Sequence, residues 1–505
     1  MAYDDVFVPI SYQKPRCYGY NKHTNREEVL KMKDYIVIGG GAIGLATAYR
    51  LKKSHKDQSV TVIDSKESGT ASLASGAMLG CFGEVTKYTL QSDANKKKFE
   101  LMYAAHKQWT TWREEIEADA GQTIKHIPGS YVILNTQGGA LDDENFDAMI
   151  EALNIYNESY EYVMPKDIPG LHPNHLARPL RAVYLPNEGS IDSNQYVTVL
   201  ETACKNIGVE VTSITSLHSI DSCDAMYTVS FDETTVTSPV VIVATGAYTS
   251  SVLAKVSPTL SAMPVLAGNG VATVTKRQVG EGFTATVRTA NRAGSCGLHV
   301  VPMGDGYEYL GATNVLYSEP ESRMTIGLSH FLAQCAIEQL DLNIYHSFVE
   351  TWRVGNRPVS LDTLPLIGKV DDSSLYLATG TYRDGLHCSP VIADALITLI
   401  DGGNAPIIED FTPKRSFTQL MSKEDSANEY AMQAVSGAYE NWYRPTYYMN
   451  DDEIYQNAHK KATDIYDQLG TNIGLHPDIL LLLSSDEKAV KNVGAYLQSI
   501  NQPES

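Results

Sequence analysis

No stretch of this chain restricts its fold more than DYIVIGGGAIGLATAYRLKK, Asp34 to Lys53, taken together with SVTVID, which ends at Asp64. Tyr35 to Ile38 is an apolar run of buried-strand length. Gly39, Gly41 and Gly44 form a G-x-G-x-x-G turn that opens a helix at Ala42, and a second strand closes on an acid. This is the order of a dinucleotide-binding βαβ unit. Gly39 permits the tight turn, Gly41 lets backbone approach a pyrophosphate, and Gly44 lets helix and strand pack closely. The helix N-terminus offers N–H groups to the phosphates, and Asp64 is placed to hold a ribose hydroxyl.

At 505 residues the chain can bury a large core and divide into two or more domains, some discontinuous in sequence. Its 40 basic and 60 acidic residues leave a formal net charge of −20, which repels phosphate backbones and anionic membrane surfaces, so no nucleic-acid partner is expected. The first residues carry early acids and no apolar run of signal-peptide length, and no later run reaches the length of a membrane span. A cytoplasmic protein is the expectation. Seven scattered cysteines without a C-x-x-C spacing suggest reduced, mostly buried thiols and no metal site.

Residues 1–33 are a polar lead-in without hydrophobic period. Ser68 to Glu84 is a run of small residues over which a flat ring could lie. Residues 94–120 show a helical stripe of Phe99, Met102, Tyr103, Trp109 and Trp112, and a strand from Gly129 and a helix over Asp142 to Tyr156 follow. A helix from Ser193 to Ile207 precedes the apolar run Val240 to Ala244, which reads as a buried parallel strand ending at Thr245 and Gly246. By itself that segment suits a plain core strand as well as a cofactor contact. The strands VLAGNGVATVTK, CGLHVVPM and YEYLGAT suit an antiparallel substrate sheet. A further buried strand, Leu375 to Thr379, leads to a helix starting near Ser389-Pro390.

Four blocks in order, GGGAIG with VIDS, ASGAMLGCFGE, ATGAYTS, and GNRPVSLDTLPLIG with ATGTYRDGLHCSPVIADAL, make Asp34 to about Phe417 resemble the flavoprotein family of D-amino acid oxidase and sarcosine oxidase, most closely its glycine oxidase branch. The resemblance implies an α/β fold. A discontinuous Rossmann-like FAD-binding domain (34–92, 181–258 and 346–417) would carry an inserted mixed or antiparallel substrate sheet (93–180 and 259–345). An N-terminal extension (1–33) and a helical C-terminal extension (418–505) would flank them.

Carried over by position, Ala42 and Ile43 resemble the pyrophosphate contacts, and Asp64 and Ser65 the ribose contacts. Ala71, Ser72, Gly76, Ala77 and Met78 match positions along the pyrophosphate and flavin, and Leu217 an adenine contact. The loop Thr381, Tyr382, Arg383, Asp384, Gly385, Leu386 and His387 matches the one that wraps the flavin pyrimidine edge. Nothing matches a cysteine that tethers flavin, so the resemblance implies non-covalent FAD. Arg357 and Arg383 match the arginines that hold the substrate's acid group. A guanidinium forks onto a carboxylate and so orients the Cα–H; a structural ion pair is the other use for either one.

The implied activity is oxidation of a small amine or amino acid, glycine or D-amino acid-like, by hydride transfer to FAD. The imine product then hydrolyses, with O2 or another acceptor taking the electrons. A dehydrogenase feeding a quinone or protein acceptor, and a non-catalytic flavin-binding maturation factor, stay open; either is compatible with a homo-oligomer. Two departures bear on the substrate. His299 stands where the branch has a tyrosine, as a pocket residue or a core histidine, and Met303 replaces a basic residue. Glu84 is either pocket-facing or a solvated loop acid. Beyond Phe417, Ile454, Ala458, Ala462, Ile465 and Leu469 form a helical stripe with Asn450 as N-cap and Gly470 as C-cap, and a second helix is capped at Ser484 or Ser485. That tail is expected to pack on the FAD-binding domain, with a lid or dimer contact as the alternative.

Overall fold

The computed structural model describes residues 31–223, 225–257, 262–291, 297–370, 374–441 and 451–500. The lead-in to residue 30, the Asn450 cap and most of the aromatic segment after Tyr439 lie outside them.

Three returns of the chain build a six-stranded sheet. Its order is Leu366–Lys369, Leu375–Thr379, Val240–Val243, Tyr35–Ile38, Val60–Asp64 and Glu210–Ser213, all parallel except the first pair. Alternation along the central strand sends Tyr35 and Val37 to one face and Ile36 and Ile38 to the other. The first face carries the helices Ala42–Ser54, Asp93–Ala120, Ser193–Asn206 and Gly385–Ile400. Trp112 is the hub of this layer: fully buried, edge-on to Tyr49, its indole N–H donating to Tyr196 Oη at 3.0 Å. Truncating it would cost about 3 to 5 kcal/mol. The second face is covered by a five-stranded sheet, with Ile220, Val229, Phe231 and Val236 packed on Ile36 and Val241.

A mixed ten-stranded sheet forms the other half, with Val265–Lys276 paired along its length to Phe348–Ser360, and Thr286–Thr289 parallel to His126–Asn135. Besides the two-residue strand Met78–Leu79, two strands expected in the FAD-binding domain belong here: Pro179–Ile191, which pairs with His126–Asn135, and Phe348–Ser360. Each is 13 residues long and hydrogen-bonded along most of its length, so the chain changes sheets only after the strand ends. Arg357 therefore comes to the cavity from the ten-stranded sheet.

The last helix of the sheet layer begins at Gly385, four residues before the expected start, and holds Pro390 inside. Proline has no N–H for the carbonyl four residues back, and Ser389 Oγ donates to Leu386 O at 2.8 Å instead. Cys81, Cys204, Cys335 and Cys388 are free and buried. Cys223, the last residue of its strand, departs from the expectation of reduced thiols: it is disulfide-bonded. No helix among the described residues is long and apolar enough to cross a membrane, and no cluster of His, Cys, Asp and Glu suited to a metal occurs among them.

The tail is helical: Lys423–Glu440, Asp451–Leu469, Pro477–Leu483 and Glu487–Ile500. Gly470 ends the second helix in the left-handed conformation, φ 61°. The last helix is capped by Asp486, which accepts from the N–H groups of Lys488 and Ala489, and not by Ser484 or Ser485. The tail's apolar faces meet Val265, Leu266, Leu316 and Val359 of the ten-stranded sheet as well as Leu366 and Tyr382. It thus packs on the ten-stranded sheet more than on the sheet expected to receive it.

Candidate functional site

The glycine turn, the small-residue run after Thr70 and the loop before the last sheet-layer helix converge on one cavity of about 320 Å³. Why the turn needs glycine is visible in the packing. A Cβ on Gly39 would lie 2.4 Å from Ala244 O, and one on Gly44 2.0 Å from Gly39 O, so both positions are closed to any side chain. Gly44 accordingly does not line the cavity; its role is packing. A Cβ on Gly41 would meet only Ser72 Oγ, at 3.1 Å, and Gly41 does line the cavity. No side chain caps the helix that follows, apart from Ser72 Oγ, which accepts from Ala42 N at 3.0 Å.

The other site residues read from the sequence line the same cavity, Met303 excepted: Ala42, Ile43, Asp64, Ser65, Leu217, Thr245 and Gly246 toward the six-stranded sheet; Ala71, Ser72, Gly76, Ala77 and Met78 along its length; and Thr381 to His387, Arg357 and His299 at the far end. Ala77 (φ 47°) and Tyr382 (φ 53°) are held in the left-handed region, a strain of about 1 to 3 kcal/mol each that clusters at functional sites.

The cavity suits a flavin dinucleotide on chemistry as well as shape. Thr381 Oγ1 and His387 Nδ1 are buried polar atoms without a hydrogen-bond partner among the described residues, both on residues lining the far end, where a polar ring edge would meet them. His387 Nε2 is engaged by Met102 O at 2.9 Å, and burial lowers its pKa to about 4.

The far end is charged. Arg288 Nη1 donates to Glu84 Oε1 at 2.6 Å, and Arg383 Nη1 lies 3.8 Å from Glu84 Oε2 and donates to Asn291 Oδ1 at 2.7 Å. Burial alone would raise the Glu84 pKa, but the two guanidiniums hold it below the usual value. Glu84 is thus neither solvated nor free. Arg357 differs: its Nη1 donates to Thr313 O at 3.2 Å, Asn314 Oδ1 at 3.3 Å and Gly268 O at 3.5 Å, all neutral acceptors. Among the described residues it has no carboxylate within ion-pair distance.

His299 is buried and stacked on Tyr309, ring centroids 5.8 Å apart, with Nδ1 at 3.1 Å from Gly297 O. Burial, then Arg288, pushes its pKa down to about 4, so it is a neutral wall of the cavity. Arg288 went unmarked in the sequence because it sits in a four-residue strand, TVRT, with no alternation to flag it. A second, smaller cavity of about 110 Å³ lies behind Glu84, Arg383 and Asp384 and is closed by His476 from the tail.

A sheet built from three chain returns, a glycine turn at one end of a long cavity and arginines at the other make the layout of a flavoprotein oxidoreductase. The chain belongs to the FAD dependent oxidoreductase family, whose model matches residues 34–399, and FAD is the cofactor of that family. It is 24% identical over 378 residues to glycine oxidase of Geobacillus kaustophilus (strain HTA426), covering 73% of this chain and 93% of that enzyme. It is 23% identical over 387 residues to the bifunctional protein ThiO/ThiG of Synechocystis sp. (strain ATCC 27184 / PCC 6803 / Kazusa), covering 76% of this chain but 54% of that protein, so it spans about half of that relative's length. The crystal structure of glycine oxidase from Geobacillus kaustophilus superposes with a TM-score of 0.65 at 20% identity, over 77% of this chain and 100% of that one. That of iminodiacetate oxidase from Chelativorans sp. BNC1 does so with a TM-score of 0.63 at 18% identity, over 75% and 98%. These likenesses show the fold; the tail lies beyond the matched region.

Proposed function

We propose that this protein oxidises a small amine or amino acid, of the glycine or D-amino acid kind, whose acid group is held by Arg357, with O2 taking the electrons. The observation that carries this is the Arg357 guanidinium, half-buried at the cavity end and bonded, among the described residues, only to neutral oxygens. Such a cation has no carboxylate in contact to neutralise it and can attract an anion, and its planar fork suits a carboxylate. Arg383, already bonded to Asn291 and facing Glu84, has less to offer and serves more to shape the wall.

FAD, held non-covalently with its pyrophosphate against Gly41, Ala42 and Ile43 and its ring edge toward Thr381 to His387, would supply a hydride acceptor. The chain's own work is to fix the acid group, keep a neutral His299 beside the substrate and exclude water from the cavity; no strong base is needed, since a neutral amine gives up its α-hydrogen and the imine then hydrolyses in water. The names of the similar enzymes, glycine oxidase and iminodiacetate oxidase, support a carboxylate-bearing amine. An anaerobic panel of glycine, sarcosine, D-alanine and aminomethylphosphonate tests the reading: one of them should bleach the flavin, and air should restore its colour. No bleaching by any carboxylate-bearing amine, or restoration only by a quinone, would set aside the substrate or the acceptor respectively.

A further inference from the structure

Asp478 begins the tail helix Pro477–Leu483, beyond the region matched by the family, yet only 2% of it is exposed. One carboxylate oxygen, Oδ2, accepts from Tyr382 Oη and, at 3.2 Å, from Asn314 Nδ2. The same Asn314 Nδ2 donates to Tyr382 Oη at 2.6 Å, while Asn314 Oδ1 accepts from Arg357 Nη1 at 3.3 Å. Donors and acceptors run one way, from Arg357 through Asn314 and Tyr382 to Asp478.

We propose that Asp478 is a positioning residue of the substrate site, supplied by the C-terminal extension, which acts on Arg357 by setting the Asn314 amide. The proposal rests on the reading of Arg357 given above. An asparagine amide can face either way, and here each of its ends is addressed by a group that accepts only one of them. The carboxylate of Asp478 demands an N–H, and the guanidinium of Arg357 demands an oxygen. Turning the amide over would set oxygen against carboxylate and N–H against N–H. Among the described residues Arg357 has no acid within ion-pair distance to steer it, and of its three neutral contacts, Thr313 O, Gly268 O and the Asn314 amide, the amide is the side chain whose setting can change. Asp478 is itself held firmly: Ile479, Leu480 and Leu483 of its helix pack with Val265, Leu316 and Val359 of the substrate sheet. The tail thus joins the site covalently remote from it, and its docking and the set of the substrate cation are one arrangement.

The test uses full-length holoenzyme, glycolate as a carboxylate probe, and the change in flavin visible absorbance on binding. Asp478→Ala should raise the glycolate Kd about tenfold with FAD content unchanged, since a disordered amide weakens a charge-assisted contact. Asp478→Leu, which fills the space apolarly, should do the same if the smaller side chain impairs folding. Asp478→Asn, whose side-chain oxygen can still accept from Tyr382 and Asn314, should stay within about threefold of the parent. In an Arg357→Ala background the Asp478→Ala change should add nothing, because its effect passes through that arginine. Unchanged Kd in Asp478→Ala and Asp478→Leu, or the same fold-loss with and without Arg357, overturns the proposal while leaving the role of Arg357 intact. If Arg357→Ala alone leaves glycolate binding at the parent value, the carboxylate reading itself fails and this inference falls with it.

Discussion

Arg288 Nη1 donates to Glu84 Oε1 at 2.6 Å across 204 positions of sequence, and Arg288 is only 3% exposed. Two charges taken out of water survive because each answers the other, and breaking such a pair strands the survivor. Glu84→Ala should therefore destabilise the fold by about 3 to 5 kcal/mol, seen as a lowered unfolding midpoint, with Glu84→Gln milder because an acceptor remains. An unchanged midpoint in Glu84→Ala would mean that Arg288 finds other compensation. The pH dependence has a definite sign. The folded Glu84 pKa lies below its ordinary 4.5, so its contribution is complete above about pH 4.5 and lost as pH falls further.

The glycine turn gives a contrast within one motif. Gly44→Ala forces a Cβ to 2.0 Å from Gly39 O and should cost about 1 to 3 kcal/mol of stability as well as FAD. At Gly41 a Cβ would meet only Ser72 Oγ, at 3.1 Å, among the described residues, so Gly41→Ala should leave the apo-protein's unfolding midpoint in place while weakening FAD retention on gel filtration. Equal losses of stability in the two variants would contradict the division of labour between packing and ligand approach.

How much of this was legible in the sequence follows from the range of the forces involved. The βαβ unit was readable nearly to the residue, because strand period, turn glycines and helix start are local: Tyr35–Ile38, Ala42–Ser54 and Val60–Asp64 fall where the pattern puts them. Gly385 as a helix start was not, since Pro390 is tolerated through Ser389's substitute hydrogen bond, which no propensity encodes. Arg288 and Asp478 were invisible for a different reason. A buried charge declares itself only when its partner is known, and Glu84 and Tyr382 are brought to them by tertiary docking.

Three buried histidines predict a second pH effect. Burial, the largest cause in each, lowers His299 and His387 to about 4 and His476 to about 3. A folded value below the unfolded 6.5 means the stabilisation is full above about pH 6.5 and declines as pH falls from there toward the folded values. By pH 5 each neutral imidazole should have cost roughly 2 kcal/mol relative to pH 8. Denaturant unfolding at the two pH values checks the decline, and His476→Gln should flatten it by its share. A pH 8 to pH 5 difference that is the same in His476→Gln as in the parent would show that the His476 ring protonates freely in the fold.

His299 sets the breadth of the cavity beside Tyr309. Replacing it with alanine removes a stacked ring from the lining and should raise turnover of bulkier D-amino acids relative to glycine, with FAD content unchanged. A specificity profile identical to the parent would make His299 a core histidine in effect.

For Arg357 the direct measurement is steady-state kinetics of Arg357→Ala with the amine that bleaches the parent flavin, alongside its FAD content. Loss of a charge-assisted contact to a buried anion typically costs about 2 to 5 kcal/mol, so kcat/KM should fall roughly 30-fold to several thousand-fold while FAD stays bound. An unchanged kcat/KM would contradict the claim that this guanidinium holds the substrate's acid group.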